Sequence, residues 1–317
     1  MKILVTGAAG FIGTNISMHF LNKKNTIYGI DNYDDFNSIK LKKFRIKQLK
    51  KNKKFFFKKI DITNRKALFN FVKNKKINMI IHMAAQAGVR YSIINPKKYI
   101  NVNLNGFMNI IFAAKKNNIN KIIYASSSSV YGDSKNFPSK ETHKLNQKNI
   151  YAVTKMLNEK IAETYSKITH IKFVGLRFFT IYGEFGRPDM FLFKLFKSSF
   201  TNSEFQINNF GNHLRDFTYV KDACEIVFKL SLKKTKKNEV YNVCSNNPEN
   251  ILKISKYFNN KYPIKIKLIN KHKADILKTH GDNKKLKKTI SFSKFIKIKN
   301  QIFKVYNWYK SNKIYKM

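Results

Sequence analysis

A glycine-punctuated turn, GAAGFIG at residues 7–13, constrains this chain more than any other stretch in it. It follows a short apolar and β-branched run, KILVT, and leads into a stretch with helical spacing, so Gly7, Gly10 and Gly13 stand at a strand-to-helix turn. Such a turn acts through its backbone. Glycine permits a tight reversal and close approach of a pyrophosphate, whose charge the helix N-terminal amides then receive. Phe11 and Ile12 lie inside the same turn and belong to the expected cofactor wall. The next apolar run, NTIYGID, ends in Asp31, eighteen residues past Gly13 and followed by Asn32. A carboxylate there accepts hydrogen bonds from a ribose diol and repels a 2′-phosphate, which favours NAD over NADP. The plainer reading, an aspartate that only caps the next turn, is disfavoured by its spacing from the glycines.

Four further short runs, KFFFKKID (54–61), INMIIHMAA (77–85), KIIYASS (121–127) and IKFVGLRFF (171–179), alternate with helical stretches. That alternation predicts βαβ units and an α/β, doubly wound parallel sheet of the Rossmann type over residues 1–180. Residues 181–317 read as a smaller mixed α/β domain, with strands at FQINNFG (205–211) and EVYNVCS (239–245) and helices near 219–233 and 250–259. The 216–245 region could fold back on the first domain. His82, beside the fourth strand, reads as a satisfied core histidine.

Charge raises a separate question. Sixty-three Lys and Arg against eighteen Asp and Glu give a net charge of +45, the kind of balance found in nucleic-acid or anionic-membrane binders. The lysines are spread along the whole chain, however, and LKKFRIKQLKKNKK (41–54) interleaves them with apolar residues at helical spacing. A solvated helix face explains that run, and nucleic acid is not expected as a partner. Cys224 and Cys244 form no CxxC pair and no cluster with metal spacing, so neither a disulfide framework nor a metal site is expected. No apolar run approaches the length of a signal or membrane segment, and a soluble cytoplasmic protein is the expectation.

Farther on, YAVTK (151–155) puts Tyr151 and Lys155 one helical turn apart on one face. A phenol ionises near ~10 in water, so a tyrosine base needs a nearby positive charge, which the ammonium of Lys155 can supply. Upstream, residues 126–129 are four consecutive serines at the end of a strand.

With these features, and with Asp61 after the third strand, AAQ at 84–86 and NLNG at 103–106, the sequence resembles the extended short-chain dehydrogenase/reductase family over nearly its whole length. The resemblance implies Tyr151 as acid/base, Lys155 on the nicotinamide ribose and lowering the tyrosine's pKa, and Ser127 with its neighbour Ser128 holding the reacting oxygen. It implies Asp61 and Ile62 at adenine, and Ala84, Ala85, Gln86 and Asn103 along the cofactor path. For Asn103, a helix-interior side chain bonding backbone is an equally good description. A dimer through helices near 95–117 and 150–167 is implied as well.

Family members start by oxidising a sugar C4 hydroxyl with bound NAD and differ in the next step. Relatives that eliminate water carry adjacent Asp and Glu at the serine strand, and those that decarboxylate UDP-glucuronate carry a Glu nearby. Four serines offer hydroxyls and no acid, which leaves return of the hydride to the opposite face: 4-epimerisation. QAGVRYS (86–92), LRFFTIYGEFGRPDM (176–190) and RDFTYV (215–220) resemble the UDP-glucuronate 4-epimerases. By that resemblance Thr180 and Arg187, with Arg90 nearby, would receive the sugar carboxylate, Arg215 the diphosphate, and Asp275 the uridine or its ribose. A guanidinium fork suits a planar carboxylate. The chain departs from the pattern at Glu184 and Phe185, where a Pro-Trp pair is usual, and at His213 and the KAD of 273–275. Epimerisation of a neutral UDP-hexose or N-acetylhexosamine, decarboxylation, and a non-catalytic NAD-sensing or RNA-binding scaffold are the competing expectations.

Overall fold

Alternation along the first strand, β1 (Lys2–Thr6), sets up the two layers that cover the sheet: Ile3 and Val5 enter one apolar core and Leu4 the other. The structure is a computed structural model that describes residues 1–134, 136–271, 276–292 and 294–317. The strands that follow are β2 (Thr26–Asp31), β3 (Phe55–Lys59), β4 (Met79–His82), β5 (Lys121–Ser127), β6 (Lys172–Phe178), β7 (Thr180–Tyr182), β8 (Phe205–Ile207), β9 (Leu214–Tyr219), β10 (Asn238–Val243), β11 (Pro248–Asn250) and β12 (Ile266–Leu268). Seven of them form one parallel sheet in the order β10-β6-β5-β4-β1-β2-β3. Helices Phe11–Asn22 and Val220–Leu232 pack on the face that holds Ile3 and Val5. Residues of Arg65–Val72, Gly106–Lys116 and Ile150–Ile168 join the core on the other face. Strand order reverses between β1 and β4, and the glycine turn stands at that reversal.

The rest of the chain is built around β11-β9-β7 and the short pair β12-β8. Aromatic packing dominates there. Phe196, Phe258, Tyr262 and Tyr306 of three neighbouring segments meet with ring centroids 4.2–5.4 Å apart.

Three stretches differ from the sequence reading. FQINNFG is a strand only through Ile207 and then turns, with Phe210 at φ +49°. The 95–117 region is one continuous helical run, Pro96–Lys116, interrupted by a π segment at Asn101–Asn105, within which the Asn103 side chain bonds the Gln86 backbone. The basic run at 41–54 begins as helix Ile39–Leu49, but Lys42 and Arg45 are buried rather than solvated. Both cysteines are free and buried. Among the described residues, no helix is long and apolar enough to cross a membrane and no His/Cys/Asp/Glu cluster could hold a metal.

Candidate active site

Gly7 has φ +68°, and a Cβ on it would lie 2.7 Å from the Ala84 backbone nitrogen; one on Gly13 would lie 2.1 Å from the Gly7 carbonyl oxygen. Side chains are excluded at both positions, so the turn stays bare at the carboxyl edge of the sheet. A cleft with a volume of about 280 Å³ opens there. Gly7, Gly10, Phe11, Ile12, Gly13, Asp31, Asn32, Asp61 and Ile62 line one end; Ala84, Ala85, Gln86, Ser127, Tyr151, Lys155 and Arg187 line the rest.

Asp31 accepts hydrogen bonds from the Ala9 and Tyr33 amides at 3.1 and 2.9 Å, and the Lys42 ammonium stands 4.0 Å away. Burial raises the pKa of Asp31, while Lys42 and the two amides act against that shift. Asp61 is fixed by Thr63 and by the Asn32 amide at 2.8 Å. Asn103 lies behind the cleft wall. Its side chain accepts from the Gln86 amide and donates to the Gln86 carbonyl and to Thr154, so it fixes the AAQ segment and does not itself line the cleft.

The reading of the basic run missed Arg45. Only 1% of it is exposed, and its guanidinium donates to the carbonyls of Ala9 at 3.0 Å, Phe185 at 2.7 Å and Gly186 at 2.8 Å. Arg45 thus ties the glycine turn to the loop that carries Arg187. Burial pulls its pKa down to about 9. Leu41, Arg45, Ile46 and Leu49 share one helical face, and that periodicity was the available signal.

Helix Ile150–Ile168 brings Tyr151 and Lys155 to the ends of β5 and β6. Ser127 Oγ donates to the Ser129 hydroxyl at 3.1 Å, accepts from the Ser129 amide at 3.2 Å, and lines the cleft with the Tyr151 phenol. Burial raises the pKa of Tyr151, and the neighbouring Ser127 hydroxyl and the positive charge of Arg187 oppose the rise. The Lys155 ammonium lies 6.0 Å from the tyrosine ring centroid, donates to the Ala125 carbonyl at 2.8 Å, and is pushed down to about 8 by burial. In this arrangement the cation acting on the phenol is Arg187. Ser128 begins the short turn after β5 and is not part of the lining, whereas Ser126 is.

The serine run does have a carboxylate neighbour, Glu159, which the same helix supplies one turn after Lys155. Ser126 donates to Glu159 at 2.6 Å, and Arg177 grips both carboxylate oxygens at 2.9 and 2.7 Å. That acid is fully engaged. His82 is a core residue, as its sequence context predicts: Nδ1 lies 2.7 Å from the Thr6 hydroxyl, and burial pushes the imidazole down to about 3.

Arg187 lines the cleft and, with Thr180, a small adjoining cavity. Its Nε donates to Asp189 at 2.9 Å and its Nη2 to the other oxygen of that carboxylate. Arg90 is exposed on helix Val89–Ile94 and is absent from the lining. Arg215 donates to the Leu214 and Leu277 carbonyls, away from the cleft lining. Asp275 lies outside the described residues.

The model of the NAD dependent epimerase/dehydratase family matches residues 3–244. The chain belongs to that family. A UDP-glucuronate 4-epimerase of Thermodesulfobacterium geofontis is 34% identical, over 98% of this chain and 96% of its own length. Protein CapI of Staphylococcus aureus is 35% identical over 98% of both chains. Among solved structures, UDP-glucuronic acid 4-epimerase of Bacillus cereus, in complex with UDP-glucuronic acid and NAD, superposes with a TM-score of 0.92 at 29% identity, covering 98% of this chain and all of that one. The cleft suits the family's cofactor. A turn with no room for side chains leaves backbone beside a pyrophosphate, and the buried Arg45 Nε, without a hydrogen-bond partner among the described residues, would welcome an anionic group.

Proposed function

We propose that this chain interconverts UDP-glucuronate and UDP-galacturonate by inverting C4 of the sugar. One arrangement carries the reading: Tyr151, Ser127, Lys155 and Arg187 share a cleft with a dinucleotide turn, while the carboxylate bonded to the serine run is locked to Arg177. Gly7, Gly10, Gly13, Asp31 and Asp61 would hold NAD along the sheet edge, and Lys155 its nicotinamide ribose. Bound NAD supplies the hydride acceptor and donor at C4.

Tyr151 Oη takes the proton of the C4 hydroxyl, with Ser127 sharing the hydrogen bond and holding the same oxygen. Arg187 favours the phenolate by its charge and offers a fork to the C6 carboxylate. The keto sugar turns about its diphosphate link, and Tyr151 returns the proton to the C4 oxygen once the configuration has inverted. Elimination of water needs a free acid and base at the serine strand, and Glu159 is not free. The keto acid formed on the way is prone to lose CO₂, and a carboxylate gripped by Arg187 and Thr180 is stabilised against that loss.

A second reading, epimerisation of a neutral UDP-hexose, draws support from the pairing of Arg187 with Asp189, which leaves no uncompensated cation facing an uncharged sugar. Purified protein incubated with UDP-glucuronate and no added NAD, with products identified by NMR, separates the two. UDP-galacturonate is expected. Turnover of UDP-glucose alone, or release of CO₂ with a 4-keto-pentose, overturns the proposal. We also read the enzyme as cytoplasmic and as a homodimer; the dimer is supported by Ile100 and Ile168, 48% and 68% exposed at the ends of helices Pro96–Ile100 and Ile150–Ile168. Light scattering in solution tests the dimer.

A further inference from the structure

Arg187 reaches the cleft already paired. Asp189, two residues on, takes its Nε and Nη2 in a two-pronged grip, leaving Nη1 outside the pair. Burial alone would lower the pKa of Arg187, yet the bonded carboxylate more than offsets this and holds the guanidinium above its usual value; Asp189 is held below its own by the same contact. Asp189 is not part of the cleft lining, whereas Arg187 is, close enough for its charge to act on Tyr151 and Tyr99. The guanidinium that lines the cleft is therefore the inner half of an ion pair of zero net charge, with Asp189 behind it.

We propose that Asp189 is a specificity-determining residue that acts through Arg187, as the internal counter-ion against which a sugar carboxylate must compete. The inference rests on the assignment of Arg187 to the sugar C6 group. With Asp189 in place, a carboxylate at C6 has to share the guanidinium or displace Asp189, and it meets a like charge while doing so. A neutral hydroxymethyl group meets no such opposition and leaves no cation unpaired. Asp189 thus lowers discrimination in favour of the anionic sugar and keeps that sugar exchangeable.

Asp189→Asn keeps the shape and removes the charge. We expect the ratio of dissociation constants, UDP-glucose over UDP-glucuronate, to rise on the order of tenfold, the effect of removing one like charge near contact in a partly exposed site. Calorimetry on the full chain reads this ratio without turnover, and Asp189→Ala repeats the test with a different side chain. In kinetics the gain should fall on KM for UDP-glucuronate more than on kcat. A ratio that stays within twofold of wild type, or falls, in both variants overturns the inference, as does an equal loss of kcat on both sugars with KM unmoved. Failure of the wild type to epimerise UDP-glucuronate is a separate result: it sinks the proposed reaction, while the affinity ratio still decides the role of Asp189.

Discussion

Glu159→Gln should cost the protein much of its stability. Glu159 and Arg177 are 7% and 4% exposed, and the carboxylate accepts from Arg177 Nε at 2.9 Å, Arg177 Nη2 at 2.7 Å and Ser126 at 2.6 Å. The neutral amide keeps one acceptor oxygen but removes the countercharge and turns the other position into a donor, so a buried guanidinium is left with neutral acceptors, among them the Tyr131 hydroxyl at 2.8 Å and the Glu141 carbonyl at 3.2 Å. Removing one member of a buried ion pair typically costs ~3–5 kcal/mol because the other charge stays desolvated. Against a total of about 5–15 kcal/mol for a folded domain, that is a large fraction. Urea unfolding at neutral pH, followed by the fluorescence of the single tryptophan, Trp308, which packs on Phe185 with ring centroids 4.7 Å apart, measures the loss. Replacing both partners, Glu159→Met with Arg177→Met, should recover most of it, since no unpaired charge remains. A single variant within ~1 kcal/mol of wild type would refute the reasoning, because the standard cost of a buried unpaired charge would then be missing. A double variant no better than the single one would refute it equally.

Two more predictions test other contacts. His82 is depressed from 6.5 to about 3 in the folded state. The unfolded chain therefore binds the extra proton first, and the associated stability is present above pH ~6.5 and lost as pH falls toward ~3. Between pH ~6.5 and ~4 the wild type should lose ~2–3 kcal/mol more than His82→Asn. Parallel acid-unfolding curves for the two proteins would contradict this. Arg45→Lys cannot reach Ala9, Phe185 and Gly186 together, so calorimetry should show NAD and UDP-glucuronate each bound about tenfold more weakly, the effect of one or two buried carbonyls left unpaired. Unchanged affinity for both would exclude Arg45 as the tie between the two halves of the cleft.

The sheet and the dinucleotide turn were legible because their signals are local: glycines at a strand end, apolar runs of strand length, a carboxylate at a set distance. The alternation of Ile3, Leu4 and Val5 is enough to predict a strand covered on both faces. The burial of Arg45 had a local signal in the apolar face it shares, but its partners had none, because two of its three acceptors lie 140 and 141 residues away. Glu159 was half legible. Four residues after Lys155 it must share that residue's face, but whether its charge is free or neutralised depends on Arg177 from another strand. Asp189 was overlooked for a simpler reason: two residues from Arg187 in a loop, it has no periodicity to place it.

The loop that presents Arg187 hangs from the dinucleotide half of the protein. Asn15 of the first helix holds the Glu184 carbonyl at 3.0 Å, Arg45 holds the next two, and Phe185 is kept at φ +60° between them. If Asp31 and Arg187 hold the groups proposed for them, cofactor choice and sugar choice are for that reason not independent dials. Redesign of the Asp31 corner to accept a phosphorylated ribose would then disturb Lys42 and Arg45 and shift the mount of Arg187, so any such variant should be screened for altered substrate range at the same time as for its new coenzyme.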